Sequence, residues 1–551
     1  MRLVGKTEHF LAMSTVGTQK LQNSPAPEYQ RNEYVINSDI NVCFEDLLDM
    51  TPDQFKEWVI KMRETIKYAW DTHGCPPRTG KNKQEIIDSF NRLESYPVHE
   101  FEYTDELSDG SIKDVIINKS RVGVEVDQWF SNMFKTRINY SEKDNGYSIY
   151  DLVANPDMLD RVVKGSMRHL RRDSFYSHAL SAIRHSTKYS VVDVANGEEW
   201  MEAYFNNPSI FKDHDFLLEQ IEPRDGMNTG YFQLDQSDIL VLSKEQVEKW
   251  KDKMKYRHHS TFDIDNMPSD KIYSIRVYRK GEKVFPDGFK CFRIGYIQPA
   301  VNFPPLTAKY LYERFTEHCK DQEVINIYDP SSGWGGRILG AMSITDDRVV
   351  HYIGTDPNTD NYPTDGHKYG KYGSLADFYN AKTYRGNSFF SQTNTYEIFR
   401  LGSEVIGNHE GFSKYRGKID LIFTSPPYFN REAYSEDVTQ SYKKFSSYES
   451  WRDGFLRPTL TTCVEVLKND RYLLWNIADL LIKGEYLPLE KDSRDILESL
   501  GMKYMYTMKM ALEPMPGQNR VDENGIPKCK NYCKVNGKVM KYEPVFVFYK
   551  P

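Results

Sequence analysis

An α/β fold with a doubly wound, mostly parallel sheet is predicted for residues from about 295 to 551. Apolar strand-like segments alternate there with amphipathic helical segments, and this alternation is typical of parallel sheets. The predicted strands include VINIYDP, VVHYIGTD, KIDLIFTSPPY and RYLLWNIAD, with YMYTMKMAL and EPVFVFYK as the last two. Open sheets of this kind bind ligands beyond the carboxyl ends of their strands, and the motifs below lie at such ends.

The size and composition of the chain exclude several classes of protein. It has 551 residues, with 39% hydrophobic and 27% charged side chains, which is too apolar for a disordered chain. The usual domain size predicts roughly three or four folding units. The 72 basic and 79 acidic residues give a formal net charge of −7. A uniformly basic nucleic-acid binder is therefore excluded, whereas local basic faces are not.

Targeting and metal-binding signals are weak in this sequence. No segment approaches the ~20 consecutive apolar residues of a membrane span, and the start of the chain lacks the apolar core of a signal peptide. We therefore predict a cytoplasmic, intracellular protein with no membrane partner. Its 7 cysteines are an odd number, which fits a reducing compartment. Only Cys529 and Cys533 lie close together, and we predict no metal site.

The first half of the chain divides into three predicted regions. Residues 1–40 form a polar arm, 41–150 a mainly helical domain, and 151–290 a mixed α and β domain. The loop THGCPPRTGKNK in the helical region is either a solvated connector or a contact with phosphate groups. The basic segment 161–188 of the mixed region contains aromatic residues, as a groove along a phosphate backbone requires, although such runs are more often solvated faces.

A glycine-rich turn follows the first strand of the predicted sheet. VINIY leads directly into Asp329, Pro330, Gly333 and Gly335, and a helical segment comes next. Glycine allows the backbone to turn sharply and a ligand to approach without a Cβ in the way. The Asp329 carboxylate at the strand end is placed to accept a hydrogen bond from a cationic or amino group of that ligand. A glycine-rich turn alone is a weak signal, because many loops contain one.

Acidic residues also end the next two predicted strands. Asp356 ends the second strand, where an adenosine ribose presents two hydroxyls that one carboxylate can accept. The simpler alternative is that Asp356 caps a turn or helix. Ser403 and Glu404 follow a third strand end, where they could border the adenine of the same ligand. We interpret the long stretch 361–392 as an insertion that faces the active site.

A serine-proline-proline-tyrosine motif, Ser425 to Tyr428, follows the apolar strand DLIF. Pro426 and Pro427 fix φ and remove two backbone donors, which leaves carbonyls free to accept. A serine hydroxyl and a proline carbonyl that point the same way can both accept from an NH₂ group, which keeps its lone pair aimed at an electrophile. The tyrosine ring offers a face on which a planar base can stack. This combination suits methyl transfer to an exocyclic amine.

These motifs together resemble the amino-directed class of S-adenosylmethionine-dependent DNA methyltransferases. The matching residues are Asp329, Pro330, Gly333 and Gly335 for the first motif, Asp356 for the second, and Ser425, Pro426, Pro427 and Tyr428 for the catalytic motif. The segment around Phe303 resembles the family's helix that helps to close the cofactor pocket, and residues 543–550 resemble its antiparallel closing strand. The resemblance covers about 295–551 and implies a Rossmann-like class I methyltransferase fold with S-adenosylmethionine as cofactor. Trp334 departs from the pattern, which usually has a small residue there.

The resemblance implies direct attack of an exocyclic amine, cytosine N4 or adenine N6, on the methyl sulfonium after the base leaves double-stranded DNA. Tyr428 and Phe429 are expected to stack on that base, and no catalytic cysteine is needed. DNA reading is expected in the N-terminal half or at residues 514–520. The alternatives are methylation of RNA or of a protein glutamine, and a non-catalytic DNA-binding or inhibitory protein that kept the fold. The sequence predicts no particular oligomeric state.

Overall fold

A computed structural model describes most of the predicted catalytic region and parts of the first half. The described residues are 51–73, 83–106, 112–123, 126, 130–138, 147–158, 214–220, 230–233, 238–242, 245, 248–249, 259–260, 273–279, 300–345, 348–362, 371–380, 394–435, 437–482, 485–512, 531–535 and 538–551. The predicted polar arm 1–40, the basic segment 161–188, Cys529 and the stretch 514–520 lie outside the described residues.

Helices in the described part of the chain are mostly short, and one of them continues through a π-helical turn at Arg452–Leu456. The α-helices are, in chain order, α1 (Pro52–His73), α2 (Lys83–Glu94), α3 (Ile149–Ala154), α4 (Pro305–Phe315), α5 (Gly336–Met342), α6 (Lys371–Asn380), α7 (Glu410–Ser413), α8 (Ser441–Lys444), α9 (Tyr448–Trp451), α10 (Arg457–Val466) and α11 (Leu489–Ser499). None of these helices is long and apolar enough to cross a membrane.

Strands occur in both halves of the chain. They are, in chain order, β1 (Glu102–Glu106), β2 (Ile112–Ile117), β3 (Arg137–Ile138), β4 (His214–Gln220), β5 (Gly230–Gln233), β6 (Asp238–Leu242), β7 (His259–Ser260), β8 (Tyr273–Arg279), β9 (Val324–Asp329), β10 (Val349–Thr355), β11 (Thr395–Phe399), β12 (Ile419–Thr424), β13 (Glu432–Ala433), β14 (Leu467–Asn476), β15 (Leu480–Ile482), β16 (Glu485–Leu487), β17 (Lys503–Ala511), β18 (Tyr532–Val535) and β19 (Lys538–Lys550).

The chain groups into two compact units, and the smaller one is discontinuous in sequence. It takes in Asn32–Thr79 and Ile149–Gln298. Its described helices α1 and α3 pack together through Trp70 and Tyr150, whose ring centroids lie 5.0 Å apart in an edge-to-face arrangement. Its described strands form one sheet in the order β5-β6-β8-β4-β7. The mixed α and β character of 151–290 stays a prediction, because the described residues of that region are mainly strand.

The larger unit is built on a central sheet with the strand order β1-β2-β17-β19-β14-β12-β9-β10-β11, and β18 pairs with β19. Strands β11, β10, β9, β12 and β14 run parallel to one another. Strand β19 lies antiparallel between β14 and β17. The predicted mostly parallel α/β sheet is therefore confirmed, and so is the antiparallel closing strand. Parallel strands place their carboxyl ends at one edge of the sheet.

The structure divides the chain differently from the predicted domains 41–150 and 295–551. Gly80–Ser148 belongs to the same compact unit as Pro299–Pro551. The reason is backbone pairing, because β2 lies parallel to β17 and extends the catalytic sheet, and β1 follows it antiparallel. Strands β1 and β2, from the first half of the chain, therefore supply an edge of the sheet, which helical periodicity near residue 50 does not reveal.

Two layers of helices cover the sheet of the larger unit. On one side α4 crosses α5 closely, since a Cβ added to Gly340 would lie 2.7 Å from the Cβ of Ala308. Elsewhere α10, α11 and the strands β12, β14 and β19 share one apolar cluster. Trp475 is fully buried in that cluster, and its indole Nε1 donates to Ser493 Oγ at 3.2 Å. This packing fixes the strand ends on which the motifs lie.

Candidate active site

The glycine-rich turn connects β9 to α5 through two left-handed residues. Gly333 has φ +59° and Gly335 has φ +80°, a region that favours glycine. A Cβ on Gly335 would lie 2.4 Å from the ring of Phe130, so that side of the turn is closed by protein. A Cβ on Gly333 would meet nothing nearer than 3.7 Å. The turn is therefore tightly packed at Gly335, whereas Gly333 would accept a Cβ in ordinary van der Waals contact.

Asp329 ends β9 with its carboxylate fully buried. Oδ1 accepts from the Ser331 N–H at 3.1 Å and from Thr424 Oγ1 at 2.7 Å. Oδ2 accepts from Arg337 Nε at 2.7 Å and from the Tyr352 hydroxyl at 2.5 Å. These four bonds use the acceptor sites of both oxygens. The predicted contact of Asp329 with a cationic ligand group is therefore replaced by a contact with Arg337, a residue that the motifs do not include.

Because Thr424 is the last residue of β12, its bond to Asp329 joins the glycine-rich turn to the strand that carries the proline motif. The turn is joined equally to β10. Thr355 Oγ1 donates to the Pro330 carbonyl at 2.5 Å, and the Ser332 N–H donates to the Thr355 carbonyl at 3.0 Å. Pro330 thus contributes an acceptor that holds the turn on the neighbouring strand.

Asp356 follows β10 directly and is only 7% exposed. Its Oδ1 accepts from the Asn358 N–H at 2.9 Å. Its Oδ2 accepts from Asn361 Nδ2 and from the Tyr372 hydroxyl, each at 2.6 Å. Burial raises the pKa of Asp356 to about 6, although the hydrogen bonds from Tyr372, Asn361 and Asn358 act in the opposite direction. The bond from the Asn358 N–H shows that Asp356 caps a local turn, which is the simpler of its two predicted roles. One acceptor site on Oδ1 has no donor from the described residues.

The described parts of the stretch after β10 contact the strand ends, and its interpretation as an insertion that faces the active site stays a prediction. Tyr372, in α6, has its hydroxyl 2.5 Å from the Gly333 carbonyl as well as 2.6 Å from Asp356 Oδ2. Tyr362 donates to the Asp356 carbonyl at 2.6 Å. Tyr372 therefore ties the glycine-rich turn to Asp356, and Tyr362 holds the backbone of Asp356. Their only signal in the sequence is the abundance of tyrosine in this stretch.

Ser403 and Glu404 lie just past the end of β11, at the same edge of the sheet. The Ser403 hydroxyl lies 2.9 Å from Thr459 Oγ1 in α10, and Ser403 is buried. The Glu404 carboxylate accepts from Lys444 Nζ at 2.6 Å. Each polar group is therefore engaged with the protein, and the adenine contact of these two residues stays a prediction.

Phe303 lies beside the glycine-rich turn, as the sequence predicts. Its carbonyl would lie 2.0 Å from a Cβ on Gly336, so the two segments touch. The Arg337 guanidinium lies 5.5 Å from the Phe303 ring centroid. Asn302 Nδ2 donates to the Trp334 carbonyl at 2.7 Å. The larger residue Trp334 packs edge-to-face on Tyr434, with centroids 5.3 Å apart, and so joins the turn to the loop after the proline motif.

The proline motif begins where the fully buried strand β12 ends. Pro426 is buried, whereas Ser425, Pro427 and Tyr428 are half-buried. No backbone N–H of the described residues donates to the Pro426 carbonyl. The Tyr428 hydroxyl donates to the Asn476 carbonyl at the end of β14 across 3.4 Å, a long bond. The motif therefore offers an open carbonyl, a serine hydroxyl and a partly exposed aromatic ring at one strand end.

Phe429 does not take the stacking role expected from the sequence. It has φ +43°, which is unusual for a non-glycine residue, and its side chain is buried. The ring packs against Tyr448 and Trp451, with centroids 6.0 and 6.2 Å away. The left-handed backbone turns this ring into the core, so Phe429 anchors the loop, whereas Tyr428 is half-buried and packs against the same apolar cluster.

Tyr428 is surrounded by a group of charged residues that the sequence motifs do not reveal. Burial raises the pKa of Glu432 and of Glu543, and Arg431 lies close to both carboxylates. Glu543 also acts on Tyr428 through its charge. Glu432 and Glu543 come from distant parts of the sequence, so residue spacing cannot show that the two carboxylates interact.

Residues 130–138, from the first half of the chain, also reach this site. Phe130 is fully buried against Gly335 and Tyr372, with a centroid distance of 5.0 Å to the latter. At the other end, β3 pairs antiparallel with β13, just after the proline motif. We call residues 130–138 the cover segment. Among the described residues, no group of three or more His, Cys, Asp or Glu side chains could hold a metal ion.

Comparison with known proteins finds a family match for the region around the proline motif. Residues 419–551 match the DNA methylase family model. The matching region starts at the first residue of β12 and includes all four motif residues, so the DNA methylase resemblance read from the motifs is confirmed there. None of the curated proteins matches the chain.

Solved structures similar to parts of this chain come from several organisms. A candidate DNA modification methylase of Thermus thermophilus, complexed with S-adenosyl-L-methionine, has 16% identity and a TM-score of 0.18 over 27% of this chain and 53% of its own. The chain thus spans about half of that protein. A methyltransferase of Methanosarcina mazei has 13% identity and a TM-score of 0.24 over 42% and 96%. An O-methyltransferase of Thermotoga maritima has 9% identity and a TM-score of 0.25 over 52% and 76%.

Proposed function

We propose that this chain is a DNA methyltransferase that transfers a methyl group from S-adenosylmethionine to the exocyclic amine of cytosine or adenine. The observation that carries the proposal is the direct bond between Thr424, which precedes Ser425, and Asp329 of the glycine-rich turn. It holds the predicted methyl-donor site and the predicted amine site on adjacent strand ends. The DNA methylase match over 419–551 supports the DNA substrate.

The residues at the strand ends fit this cofactor. Gly333 places no side chain in the way of a ligand, and Asp356 Oδ1 keeps one acceptor site for a ribose hydroxyl. The aromatic ring of Phe303 lies beside the turn. When bound, S-adenosylmethionine supplies an electrophilic methyl group on a sulfonium. Asp329 is too fully bonded to hold the cofactor itself, and we assign it to positioning the turn.

On the substrate side, the motif residues align an amine. The Pro426 carbonyl and the Ser425 hydroxyl accept the two hydrogens of the NH₂ group, which leaves the nitrogen lone pair directed at the methyl carbon. The nitrogen forms a bond to that carbon while the carbon–sulfur bond breaks, and the sulfur becomes a neutral thioether. The methylated amine then loses one proton. No side-chain nucleophile of the protein takes part.

The target base has to leave the duplex to reach these groups. Extrusion costs a few kcal/mol, and stacking on an aromatic ring returns about 1–3 kcal/mol per base. We assign this stacking to Tyr428, because it is half-buried, whereas Phe429 is buried in the core. Cytosine N4 and adenine N6 are both suitable targets, since each is an exocyclic NH₂ next to a ring nitrogen.

The test is transfer of a labelled methyl group by the full chain. The chain is incubated with labelled S-adenosylmethionine and double-stranded DNA, and the digested nucleosides are identified by mass spectrometry. We expect N4-methylcytosine or N6-methyladenine. A label on cytosine C5, on RNA alone or on a protein glutamine would overturn the proposal, and failure to bind the cofactor would favour the non-catalytic alternative. For substitutions of Tyr428, the matched control is Tyr532→Ala, at an exposed tyrosine of β18.

A further inference from the structure

Asn132 in the cover segment has an unpaired acceptor in the interior of the larger unit. The residue is 8% exposed. Its Nδ2 donates to Asn361 Oδ1 at 2.9 Å, whereas its Oδ1 has no hydrogen-bond partner and solvent does not reach it. Buried polar atoms are nearly always paired, so an unpaired one calls for an explanation. A ligand that brings a donor would provide the missing bond.

The orientation of this amide is fixed by its neighbours. The carboxylate of Asp356 can only accept when ionised, so Asn361 must present its NH₂ group to it, as observed at 2.6 Å. Asn361 therefore directs its carbonyl oxygen at Asn132, and Asn132 must donate to it from its own NH₂ group. The atom of Asn132 that has no partner is therefore Oδ1, an acceptor. The ligand atom that pairs with it must be a donor, such as a hydroxyl.

The hydrogen bonds of Asp356 show why a second acceptor is needed. Oδ2 already accepts from Asn361 and lies 2.6 Å from the Tyr372 hydroxyl, and Oδ1 accepts from the Asn358 N–H. With two acceptor sites on each oxygen, only one site remains, on Oδ1. The sequence pattern predicts that both hydroxyls of a ribose bind this carboxylate. In the structure it can take one of them.

We propose that Asn132 is a further cofactor-binding residue, whose Oδ1 accepts a hydrogen bond from one of the two ribose hydroxyls. The inference rests on the proposed function, because it takes the ribose of S-adenosylmethionine as the ligand. Asp356 accepts from the other hydroxyl. Since solvent does not reach Oδ1, the cover segment shifts slightly as the ribose enters.

The cover segment is placed for this role by contacts at both of its ends. Phe130, two residues before Asn132, packs on Gly335 in the glycine-rich turn. After Asn132 the segment runs to β3, which pairs with Glu432–Ala433 behind the proline motif. Asn132 is therefore held between the predicted methyl-donor site and the predicted base site. It lies well outside the region 419–551 that matches the DNA methylase family.

The experiment measures binding of S-adenosylhomocysteine and of its 2′-deoxy and 3′-deoxy analogues to the full chain by calorimetry. We expect the wild-type chain to lose about tenfold in affinity for each missing hydroxyl, as expected for one buried hydrogen bond. Asn132→Ala should bind S-adenosylhomocysteine about tenfold more weakly. It should also become insensitive to the loss of one hydroxyl while it keeps its sensitivity to the other.

Controls separate the possible failures. Asn118→Ala, at a half-buried asparagine after β2, makes the same change away from the site and should leave affinity unchanged. A wild-type chain that does not bind S-adenosylhomocysteine contradicts the proposed function. A wild-type chain that binds it but is indifferent to both deoxy analogues overturns the role of Asn132, and this result needs no variant to fold. The role is equally overturned if folded Asn132→Ala keeps both sensitivities.

Discussion

The guanidinium of Arg337 donates from Nε to Oδ2 of Asp329 across 2.7 Å, and neither side chain is more than 6% exposed. The same guanidinium donates from Nη2 to the Ser331 carbonyl, so it spans the glycine-rich turn from within. The sequence pattern predicts a cationic ligand group beside Asp329. In the structure the cation beside Asp329 is Arg337 of the protein itself. These bonds within the protein hold the turn in its shape.

Removing one member of this pair should destabilise the larger unit strongly. Breaking a buried ion pair leaves an uncompensated charge and costs about 3–5 kcal/mol, so Arg337→Ala should unfold at much lower urea concentration than the wild-type chain. Lys320→Ala, which breaks an exposed pair with Glu317, should behave like the wild type. Equal midpoints for the Arg337 and Lys320 variants in denaturation followed by circular dichroism would refute the structural role.

Cofactor affinity should fall as the pH falls through about 6. Burial raises the pKa of Asp356 from 3.8 to about 6, and protonation makes the carboxylate a poorer acceptor for a ribose hydroxyl. Because the folded pKa is the higher one, this group adds stability below about pH 4 and loses that contribution as the pH rises through 6. Acid therefore does not unfold the protein through Asp356. Calorimetric titration of S-adenosylhomocysteine between pH 5 and 8 measures the effect.

The matched variant for this titration is Asp356→Asn. It should bind more weakly at pH 7.5 and show no inflection near pH 6, because an amide does not titrate in this range. If the inflection of affinity near pH 6 persists in Asp356→Asn, another titratable group causes it.

Loss of the Tyr428 ring should slow methyl transfer without weakening cofactor binding. Tyr428→Ala removes a stacking contact worth about 1–3 kcal/mol, which corresponds to about 5- to 150-fold in rate. Tyr428→Phe should keep most activity, because it retains the ring and loses only the interaction of the hydroxyl with Ser425 and its long 3.4 Å bond to the Asn476 carbonyl. Single-turnover assays on DNA separate the two variants, and a Phe variant as slow as the Ala variant would mean that the hydroxyl matters more than the ring.

A methyl group on Gly335 should be more costly than one on Gly417, although both residues have a positive φ. Alanine in this backbone region costs about 1–2 kcal/mol at either position. Gly335→Ala would in addition press on the Phe130 ring, whereas a Cβ on Gly417 meets nothing within 4 Å, and such overpacking costs about 1–3 kcal/mol more. Urea denaturation of the two variants measures the difference, and equal losses would place Phe130 away from the turn.

The positions of the sequence motifs in the fold could be predicted because they depend on local order. A strand followed by a glycine-rich turn, and a second strand followed by an acid, place Gly333 and Asp356 at one sheet edge in any parallel arrangement. The same reasoning places Ser425 beside them. The proline motif is short and specific, so the prediction of its location needed no knowledge of long-range contacts.

The partners of these residues could not be predicted, because they come from distant parts of the chain. Asn132 precedes Asn361 by 229 positions, and their bond depends on a tertiary arrangement that periodicity does not encode. Arg337 was overlooked because arginine in a helix is usually solvent-exposed. The burial of Phe429 could not be predicted, because an aromatic side chain next to a motif can point to the site or to the core. The left-handed backbone at Phe429 directs the ring into the core.

The parallel pairing of β2 with β17 bears on how this protein can be dissected. A fragment beginning near residue 295 would bare the backbone N–H and C=O groups along one side of Met508–Met510, which invites another chain to pair there. Such fragments should associate through that strand. The catalytic half is therefore best produced with its N-terminal partner sequence attached.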